Sequence, residues 1–509
     1  MKMLFGKWVL PIVSIGAMAL LGAGCDEGSD DEDQGSGGSA GSEAGKGGSG
    51  GKGGAGGKGG SGGSSNESGS GGKGGSGGKG GAGGAGGSGS SEEACDPTEG
   101  EPTEVNANIT EDTTWECGTY LLQDLVFVTD NATLTIKPGA LILGDTDSQG
   151  VKALVVTRGA KLEAKGTKDA PIVFTSGNPE GNRTPGDWGG VVLLGAATVN
   201  KGNCVDGTGD KCEGGYLQGN VEGLSPDDDN AIYGGKDDKH NCGTLEYARI
   251  EYAGYQLSPD NELNGLTVGA CGTDTKISYV QVHRGSDDGI EFFGGTAGMD
   301  HIVLSGASDD SLDWDLGWRG KAQFVVVHQA TNDGDKGFEA DSQGENESAE
   351  PRSNPELWNF TLIGNPAKTA LLLREGTRGK LRNFIIQDFA IGLDVAANLV
   401  KPEEEWPSEL SVESSLFFNV KDAGDPDAEA DDMDFNETEA LEAEDRKNVF
   451  DVDPELGSTD LSDPDYKPAG EVGDKATPPS GFDTKATYAG AVSPEGDSWT
   501  AGWTEYSEN

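Results

Sequence analysis

Three short segments of the chain repeat one pattern of acidic residues. They are Asp287–Phe293, Asp309–Asp315 and Asp335–Asp341, and their starts lie 22 and 26 residues apart. In each segment one carboxylate follows the apolar residue of a predicted strand, and period-two alternation directs it outward. These carboxylates are Glu291, Asp313 and Glu339. Because neighbouring coils of a stacked sheet lie ~4.8 Å apart, the pattern predicts a ladder of carboxylates.

Further acidic residues flank this ladder. Asp315 and Asp341 lie two residues beyond it on the same face, and Asp287, Asp309 and Asp335 form a second row at the preceding turn. Like charges at this separation raise some pKa values or recruit a cation. One hypothesis is therefore that Asp287, Asp309, Asp335, Asp315 and Asp341 bind Ca²⁺, which takes six to eight oxygen ligands.

Two other interpretations stay open. Glu291, Asp313 and Glu339 suit glycoside chemistry, since carboxyl groups ~5 to 5.5 Å apart serve a retaining mechanism. The paired aspartates are similar to those of polygalacturonase-like hydrolases, but the Gly-His-Gly and Arg-Ile-Lys companions of that family do not accompany them. In the third interpretation, the aspartates only satisfy turn backbones and stack as solvated rows.

Basic side chains near the ladder have ordinary structural explanations. His283 and His328 occupy equivalent positions two coils apart, with Ser305 between them, which places them too far apart to share a metal. They are predicted to be solvent-facing strand residues. Arg284, Arg319 and Arg374 either neutralise acidic sugars or offset the charge of the ladder. The spacing of the three arginines alone does not separate these roles.

The elements that position these residues are short strands in a repeat of about 22 residues. A small residue followed by an apolar one recurs six times, at Leu266, Ile290, Leu312, Phe338, Leu371 and Leu393. Two strands per repeat, each apolar on one side, bury those sides only by stacking. The sequence therefore predicts an all-β protein with a right-handed parallel β-helix over residues 95–400. Residues 196–240 lack the period and are predicted to form a surface insertion.

The flanking regions differ in composition. Residues 1–24 have the layout of a signal peptide, and small residues directly before Cys25 predict a lipoprotein acylated on that cysteine. Residues 25–94 form a Gly/Ser/Lys-rich linker that is expected to be a disordered coil. Residues 401–509 form an acidic C-terminal segment, whose closing Trp499 and Trp503 suggest a capping end.

Charge and cysteines restrict the possible partners and the compartment. The formal net charge of -51 would repel phosphate backbones, so nucleic acid is not expected as a partner. Six cysteines after Cys25 lack the spacing of a zinc site and are predicted to form disulfides in an exported protein. Six cysteines allow fifteen pairings, and proximity in the sequence suggests Cys95 with Cys117, Cys204 with Cys212, and Cys242 with Cys271.

Several stretches resemble a group of secreted β-helical surface lipoproteins of myxobacteria and Bacteroidetes. The resemblance covers about residues 100–509 and rests on segments 134–140, 187–191, 287–295, 309–317, 488–491 and 499–504. It implies a lipid-anchored location at the cell envelope, on the outer membrane or cell surface, but no established activity. We expect a non-catalytic binding, adhesion or structural protein that contacts a polysaccharide or another surface. Under the calcium hypothesis, the cation stabilises it. The alternative is a polysaccharide-degrading enzyme.

Overall fold

The computed structural model describes residues 96–209, 212–222, 224, 228–258, 261–396, 400–426, 435–473 and 475–509. Residues 94–509 form one compact unit. Cys25, the predicted signal peptide, the whole of the linker and Cys95 lie outside the described residues. No helix within the described ranges has both the length and the apolar character needed to span a bilayer.

A parallel sheet of ten short strands forms one face of the molecule, which we call the front face. Successive strands pair in register from coil to coil, as in Ile290–Phe293, Leu312–Asp315 and Phe338–Ala340. The strands of the front face are Leu125–Val128, Ala153–Val156, Gly190–Leu194, Leu266–Gly269, Ile290–Phe293, Leu312–Asp315, Phe338–Ala340, Leu371–Arg374, Ile391–Ala396 and Asp422–Gly424.

A second parallel sheet of seventeen strands makes the other two sides of each coil. Its long strands bend at residues with positive φ, such as Tyr279 (φ 53°) and His301 (φ 54°), so one strand contributes to both sides. These strands are Thr103–Val105, Thr113–Trp115, Thr119–Leu122, Thr133–Ile136, Leu141–Gly144, Lys161–Lys165, Ile172–Ser176, Gly243–Glu251, Lys276–His283, Gly298–Ser305, Lys321–His328, Glu356–Ile363, Gly379–Arg382, Ile385–Gln387, Leu410–Glu413, Leu416–Phe418 and Val449–Phe450. The parallel β-helix predicted from the repeats is confirmed.

The apolar column identified in the sequence fills the interior of this β-helix. Ile290, Leu312 and Phe338 are fully buried, and so are Phe292 and Trp314 two residues further on. The small residue before each apolar one fits a tight contact between coils. A Cβ at Gly289, for example, would lie 2.5 Å from the Ser311 carbonyl oxygen, which is closer than van der Waals contact allows.

Coils continue beyond residue 400, where the sequence-based boundary was placed. Leu410–Glu413 and Leu416–Phe418 pair with the strands of the preceding coil. The helix Glu437–Glu442 follows, and its fully buried Leu441 belongs to the main core. This helix therefore covers the C-terminal end of the core. The remaining short helices are Pro402–Glu405, Asp229–Ala231 and Glu444–Arg446.

The C-terminal segment, which we define as residues 456–509, runs back along the side of the β-helix. It begins with the hairpin Leu456–Ser458 and Asp465–Pro468. Its Tyr466, Ala491 and Val492 are buried against an apolar row on the outer side of the second sheet, formed by Val303, Val326 and Ile363. Trp499 and Trp503 pack edge-on against Tyr279. Trp499 and Trp503 thus pack back on the β-helix, along its side.

Aromatic packing in the core predicts a large cost for truncating one ring. Phe338 is fully buried against Trp314, Phe360 and Phe384. We expect Phe338→Ala to lower the free energy of unfolding by about 3 to 5 kcal/mol, because it removes apolar contacts and leaves a cavity. Urea denaturation followed by tryptophan fluorescence measures this. Val452→Ala at a side chain that is 43% exposed is the control, and an equal loss there would contradict the explanation.

Candidate functional site on the front face

The carboxylates of the ladder stand on three adjacent coils of the front face. Glu291 lies opposite Asp313, and Asp313 lies opposite Glu339, as the alignment of the repeats predicts. Their neighbours Ile290, Phe292 and Trp314 point into the core, so the carboxylates point outward. Glu291 and Glu339 are nevertheless only 9% and 7% exposed, whereas Asp313 is half-buried.

An insertion packs beside this face, next to Phe293. Residues 196–240 carry a small antiparallel sheet of Asn203–Val205, Tyr216–Asn220 and Ile232–Tyr233. Its Tyr233 is buried, with its ring centre 5.8 Å from that of Phe293. The buried Asn200 donates hydrogen bonds to the carbonyl oxygens of Ser342 and Pro351, which fastens the insertion to the loop after Asp341. The predicted surface insertion is thus packed against the site.

Two of the predicted disulfides stabilise this region. Cys204 is bonded to Cys212 within the insertion, and Cys242 is bonded to Cys271 between neighbouring coils. Cys117 is also disulfide-bonded, while Cys95, the partner that the sequence suggests, lies outside the described residues.

A second pair of aspartates, missed as site residues in the sequence, fixes the turn before each front strand. Asp288 Oδ1 accepts a hydrogen bond of 3.0 Å from the Asp310 backbone N–H. Asp310 Oδ1 in turn accepts one of 2.5 Å from the Lys336 backbone N–H. These two residues therefore satisfy backbone groups, as the turn interpretation proposed. The signal in the sequence was the repeated Asp-Asp pair.

One group of carboxylates lacks basic partners. Oxygens of Asp288, Glu291 and Asp313 lie within 4.8 Å of one another. The Asn264 amide donates a hydrogen bond of 2.5 Å to Glu291 Oε2. Oδ1 of Asp313 and Oδ1 of Asp315 are buried without a hydrogen-bond donor. Among the described residues, no ion pair involves any of these four acidic side chains.

The electrostatics of this group oppose ionisation. Burial raises the pKa values of Asp288, Glu291, Asp313 and Asp315 well above the ordinary range, and neighbouring carboxylates add to the rise. Burial also raises the pKa of Asp287 to about 8, with Asp309 as the largest charged contributor. Without a cation, this part of the face therefore retains protons at neutral pH.

The other end of the ladder carries its own positive charges. The Arg374 guanidinium donates from Nε to Asp341 Oδ1 at 2.9 Å and also bonds Glu339, which Lys336 Nζ approaches at 3.1 Å. Burial raises the pKa of Asp341 to about 7, and Arg374 limits that rise. Burial would likewise raise the pKa of Asp335, but Lys336 and Lys368 lower it below its usual value. Arg374 therefore offsets the charge of the ladder.

These contacts divide the five residues predicted to bind Ca²⁺. Asp335 and Asp341 already have basic partners, whereas Asp315 has an oxygen without one. Asp287 and Asp309 lie with Asp288 in a second carboxylate group whose oxygens are within 4.8 Å of one another. The sequence did not distinguish these environments, because Lys368 and Arg374 reach Asp335 and Asp341 from a neighbouring coil.

The prediction for the two histidines was wrong. His283, Ser305 and His328 do lie in one column of the second sheet. However, His283 is 0% and His328 is 2% exposed. Both point away from the core, but the C-terminal segment covers them. Arg319 also differs from a sugar ligand, since its guanidinium bonds the Gly317 carbonyl and Asp238 at the base of the insertion.

The model of a family described as a pectate-lyase-like β-helix domain matches residues 107–504 of the chain. The chain belongs to this family. Comparisons with the curated proteins and with the solved structures give no significant match. Membership in the pectate-lyase-like β-helix family agrees with the stacked parallel strands, and fold alone does not fix an activity.

The pectate-lyase-like front face has the donor set that a hard divalent cation prefers. Ca²⁺ binds oxygen ligands at about 2.3 to 2.6 Å, so two of its ligands lie at most about 5 Å apart. The oxygens of Asp288, Glu291 and Asp313, within 4.8 Å of one another, meet that limit. A bound cation would also supply the positive charge that these residues lack. The residues present therefore fit calcium.

These pKa values predict how the calcium-free protein responds to pH. A carboxyl whose pKa is higher in the folded than in the unfolded protein contributes stability below the pKa of the unfolded state. That stability is lost as pH rises through the pKa of the folded state. Asp341 and Asp287, with folded values of about 7 and about 8, place part of the loss between pH 6 and pH 8.5.

We expect the free energy of unfolding in EDTA to fall across this range by up to about 1.4 kcal/mol per pH unit for each carboxyl that is still protonated. Urea titrations at several pH values measure the slope. Saturating calcium should flatten it. A calcium-free protein that becomes more stable from pH 6 to pH 8.5 would contradict the proposed ionisation states.

Proposed function

We propose that the protein is a lipid-anchored cell-surface β-helix protein that binds a divalent cation of the calcium class on its front face. The observation that carries the proposal is the buried group of Asp288, Glu291 and Asp313, whose oxygens lie within 4.8 Å of one another and which includes an Asp313 oxygen without a donor. Leaving several carboxylates buried without a counter-charge costs several kcal/mol, and a divalent cation offsets this cost.

The sequence before Cys25 supports the lipid anchor, and the Gly/Ser/Lys-rich composition of residues 25–94 supports a linker between that anchor and the β-helix. The resemblance to β-helical surface lipoproteins supports the same location. In this proposal the cation stabilises the front face and helps it to bind a polysaccharide or a partner surface.

Calorimetric titration of the EDTA-treated protein with CaCl₂ tests the cation site, with MgCl₂ as the comparison ion. We expect calcium to bind more tightly than magnesium, because magnesium demands a regular octahedral site and dehydrates reluctantly. Calcium at 100 times its dissociation constant should add about 2.7 kcal/mol to the stability of the fold. A melting temperature that neither EDTA nor calcium changes would refute the proposal.

A second candidate function is the cleavage of a polysaccharide. Glu291 and Asp313 favour it, because they lie on adjacent coils with oxygens within 4.8 Å of each other and have raised pKa values, which suits a general acid at neutral pH. Glu339 would complete the set, although Arg374 and Lys336 already pair with it.

Incubation of the purified protein with a polysaccharide panel separates the two functions. Reducing ends or unsaturated products would establish cleavage, and their loss in an Asp313→Asn variant would assign it to this face. Binding of a polysaccharide without products, at a calcium-dependent affinity, supports the non-catalytic role.

A further inference from the structure

The C-terminal segment is held on the β-helix by side-chain amides that recognise its backbone. Gln281 accepts from the Glu505 backbone N–H at 2.8 Å and donates to the Glu505 carbonyl oxygen at 2.6 Å. Asn383 pairs in the same way with Ala476, at 2.8 Å in both directions. Two hydrogen bonds to one residue orient an extended chain as a neighbouring strand would. The segment is therefore docked by a defined set of contacts.

His283 holds the end of the segment. Its Nε2 lies 2.8 Å from the Ser507 carbonyl oxygen, and its Nδ1 lies 2.8 Å from Ser305 Oγ. A carbonyl oxygen only accepts, so Nε2 carries the proton. The neutral ring then uses Nδ1 to accept from the Ser305 hydroxyl. A second proton on His283 would remove this acceptor inside a site that is closed to water.

His328 holds the start of the segment in a similar way. Its Nδ1 lies 3.2 Å from the Tyr466 hydroxyl, and the two rings pack edge to face with centres 5.6 Å apart. Burial lowers the pKa of His283 and the pKa of His328 to about 4 each. Both docked imidazoles are therefore neutral at physiological pH, although the unperturbed pKa of histidine is about 6.5.

Charged groups from every packed element face the two histidines. Around His283 they are Arg284 from its own coil, Glu505 from the C-terminal segment and Glu251, which lies opposite His283 on the preceding strand. Glu251 is paired with Arg249 at 2.8 Å. Around His328 they are Asp460 and Asp388. These acidic groups favour protonation, but burial outweighs them at both positions.

We propose that the C-terminal segment is an acid-sensitive strap, which opens more readily from the side of the β-helix when His283 and His328 take up protons. Release would uncover the apolar row of Val303, Val326 and Ile363 on the outer side of the second sheet. The front face lies on a different sheet, so the proposal is independent of cation binding there.

The direction of the pH dependence follows from linkage. A histidine whose pKa is lowered in the docked state favours docking at pH values above the pKa that it has in the undocked segment. It opposes docking as pH falls from about 6.5, the undocked pKa, to about 4, the docked pKa. At pH 5, each histidine weakens docking by up to roughly 30-fold relative to pH 7.5. Glu505, whose pKa is lowered by its hydrogen bonds to Ser507 and Tyr506, adds to release only below its usual carboxylate range.

Hydrogen exchange of the full chain with calcium present tests the strap. Peptides from residues 499–509 should lose protection by at least tenfold between pH 7.5 and pH 5, after correction for the intrinsic exchange rates. Core peptides containing Leu371–Arg374 should stay protected, which separates local release from unfolding. The double variant His283→Gln, His328→Gln should keep the end protected at pH 5, since an amide can still donate but does not titrate in this range.

Release of the double variant at the same pH as the wild type would overturn the proposal, and so would protection of the wild-type end at pH 5. If the double variant fails to fold, a measurement on the unmodified protein still tests the proposal. The chain has four histidines, so their ring protons can be followed individually by NMR. Two of them should titrate together with loss of protection at residues 499–509; titration of all four near pH 6.5 without that loss would also overturn it.

Discussion

Asp313→Asn should weaken calcium binding by on the order of 10- to 100-fold and should make the calcium-free protein more stable above pH 7. Both effects have one cause. Asp313 contributes a carboxylate to the group formed with Asp288 and Glu291, and its buried Oδ1 lacks a donor. The amide keeps the shape of the side chain but removes a carboxyl that, without a cation, must either hold a proton or ionise in a buried position, and both cost stability above pH 7. We expect a gain of about 1 to 2 kcal/mol in EDTA at pH 8. Calorimetric titration and urea denaturation measure the two effects.

Asp335→Asn is the matched control for this variant. Asp335 is also an acidic residue of the ladder region, but Lys336 and Lys368 already neutralise it. Its replacement should leave calcium affinity within a factor of about three and should lower the stability, because two ammonium groups lose a partner. If both variants bind calcium like the wild type, the group around Asp313 is not the site.

Removal of residues 456–509 should have the largest effect on stability. The truncation uncovers an apolar surface that includes Val303, Val326, Ile363 and Ile385. Full burial of each such side chain contributes about 1.5 to 3 kcal/mol, so the loss is on the order of 10 kcal/mol, which is comparable with the whole stability of many domains. We expect the truncated protein to aggregate or to melt at a much lower temperature, as measured by calorimetry and size-exclusion chromatography.

A shorter truncation provides the control. Glu508 and Asn509 are exposed, and the Asn509 carbonyl accepts one backbone hydrogen bond from Gly181. Their removal should change the melting temperature by less than about 2 °C. A protein without residues 456–509 that melts like the full chain would show that the β-helix does not need this cover.

Local repetition made the architecture predictable from the sequence. The apolar residues at Ile290, Leu312 and Phe338 set the register of three coils, and period-two alternation then placed Glu291, Asp313 and Glu339 on one outward face. Each inference needed only neighbouring coils, because a solenoid repeats one set of contacts. The two disulfides within the described part of the chain also join the cysteines that are neighbours in the sequence.

Contacts between distant segments were not predictable in this way. His283 and His328 point outward and were therefore predicted to be exposed. Residues more than 130 positions later in the chain nevertheless cover both rings. The insertion similarly packs Tyr233 against Phe293 on a face that the repeats alone would leave open. Arg374 lies opposite Asp341 in the register that aligns Leu371 with Phe338, so the alignment of the repeats contained that pairing. The further bond from Arg374 to Glu339 crosses the ladder diagonally, and the alignment does not specify it. The carboxylate ladder could be located from the sequence, but its charge balance could not.

The path of the C-terminal segment also sets the order in which the molecule can finish folding. A solenoid can add coils one after another as the chain appears, since each coil needs only its neighbour. His283 and Gln281, however, find their partners 224 residues later, at Ser507 and Glu505. Contacts of such high sequence separation slow the final step. The molecule therefore completes its outer surface only after residues 505–507 are available to dock, and until then the row of Val303, Val326 and Ile363 stays uncovered.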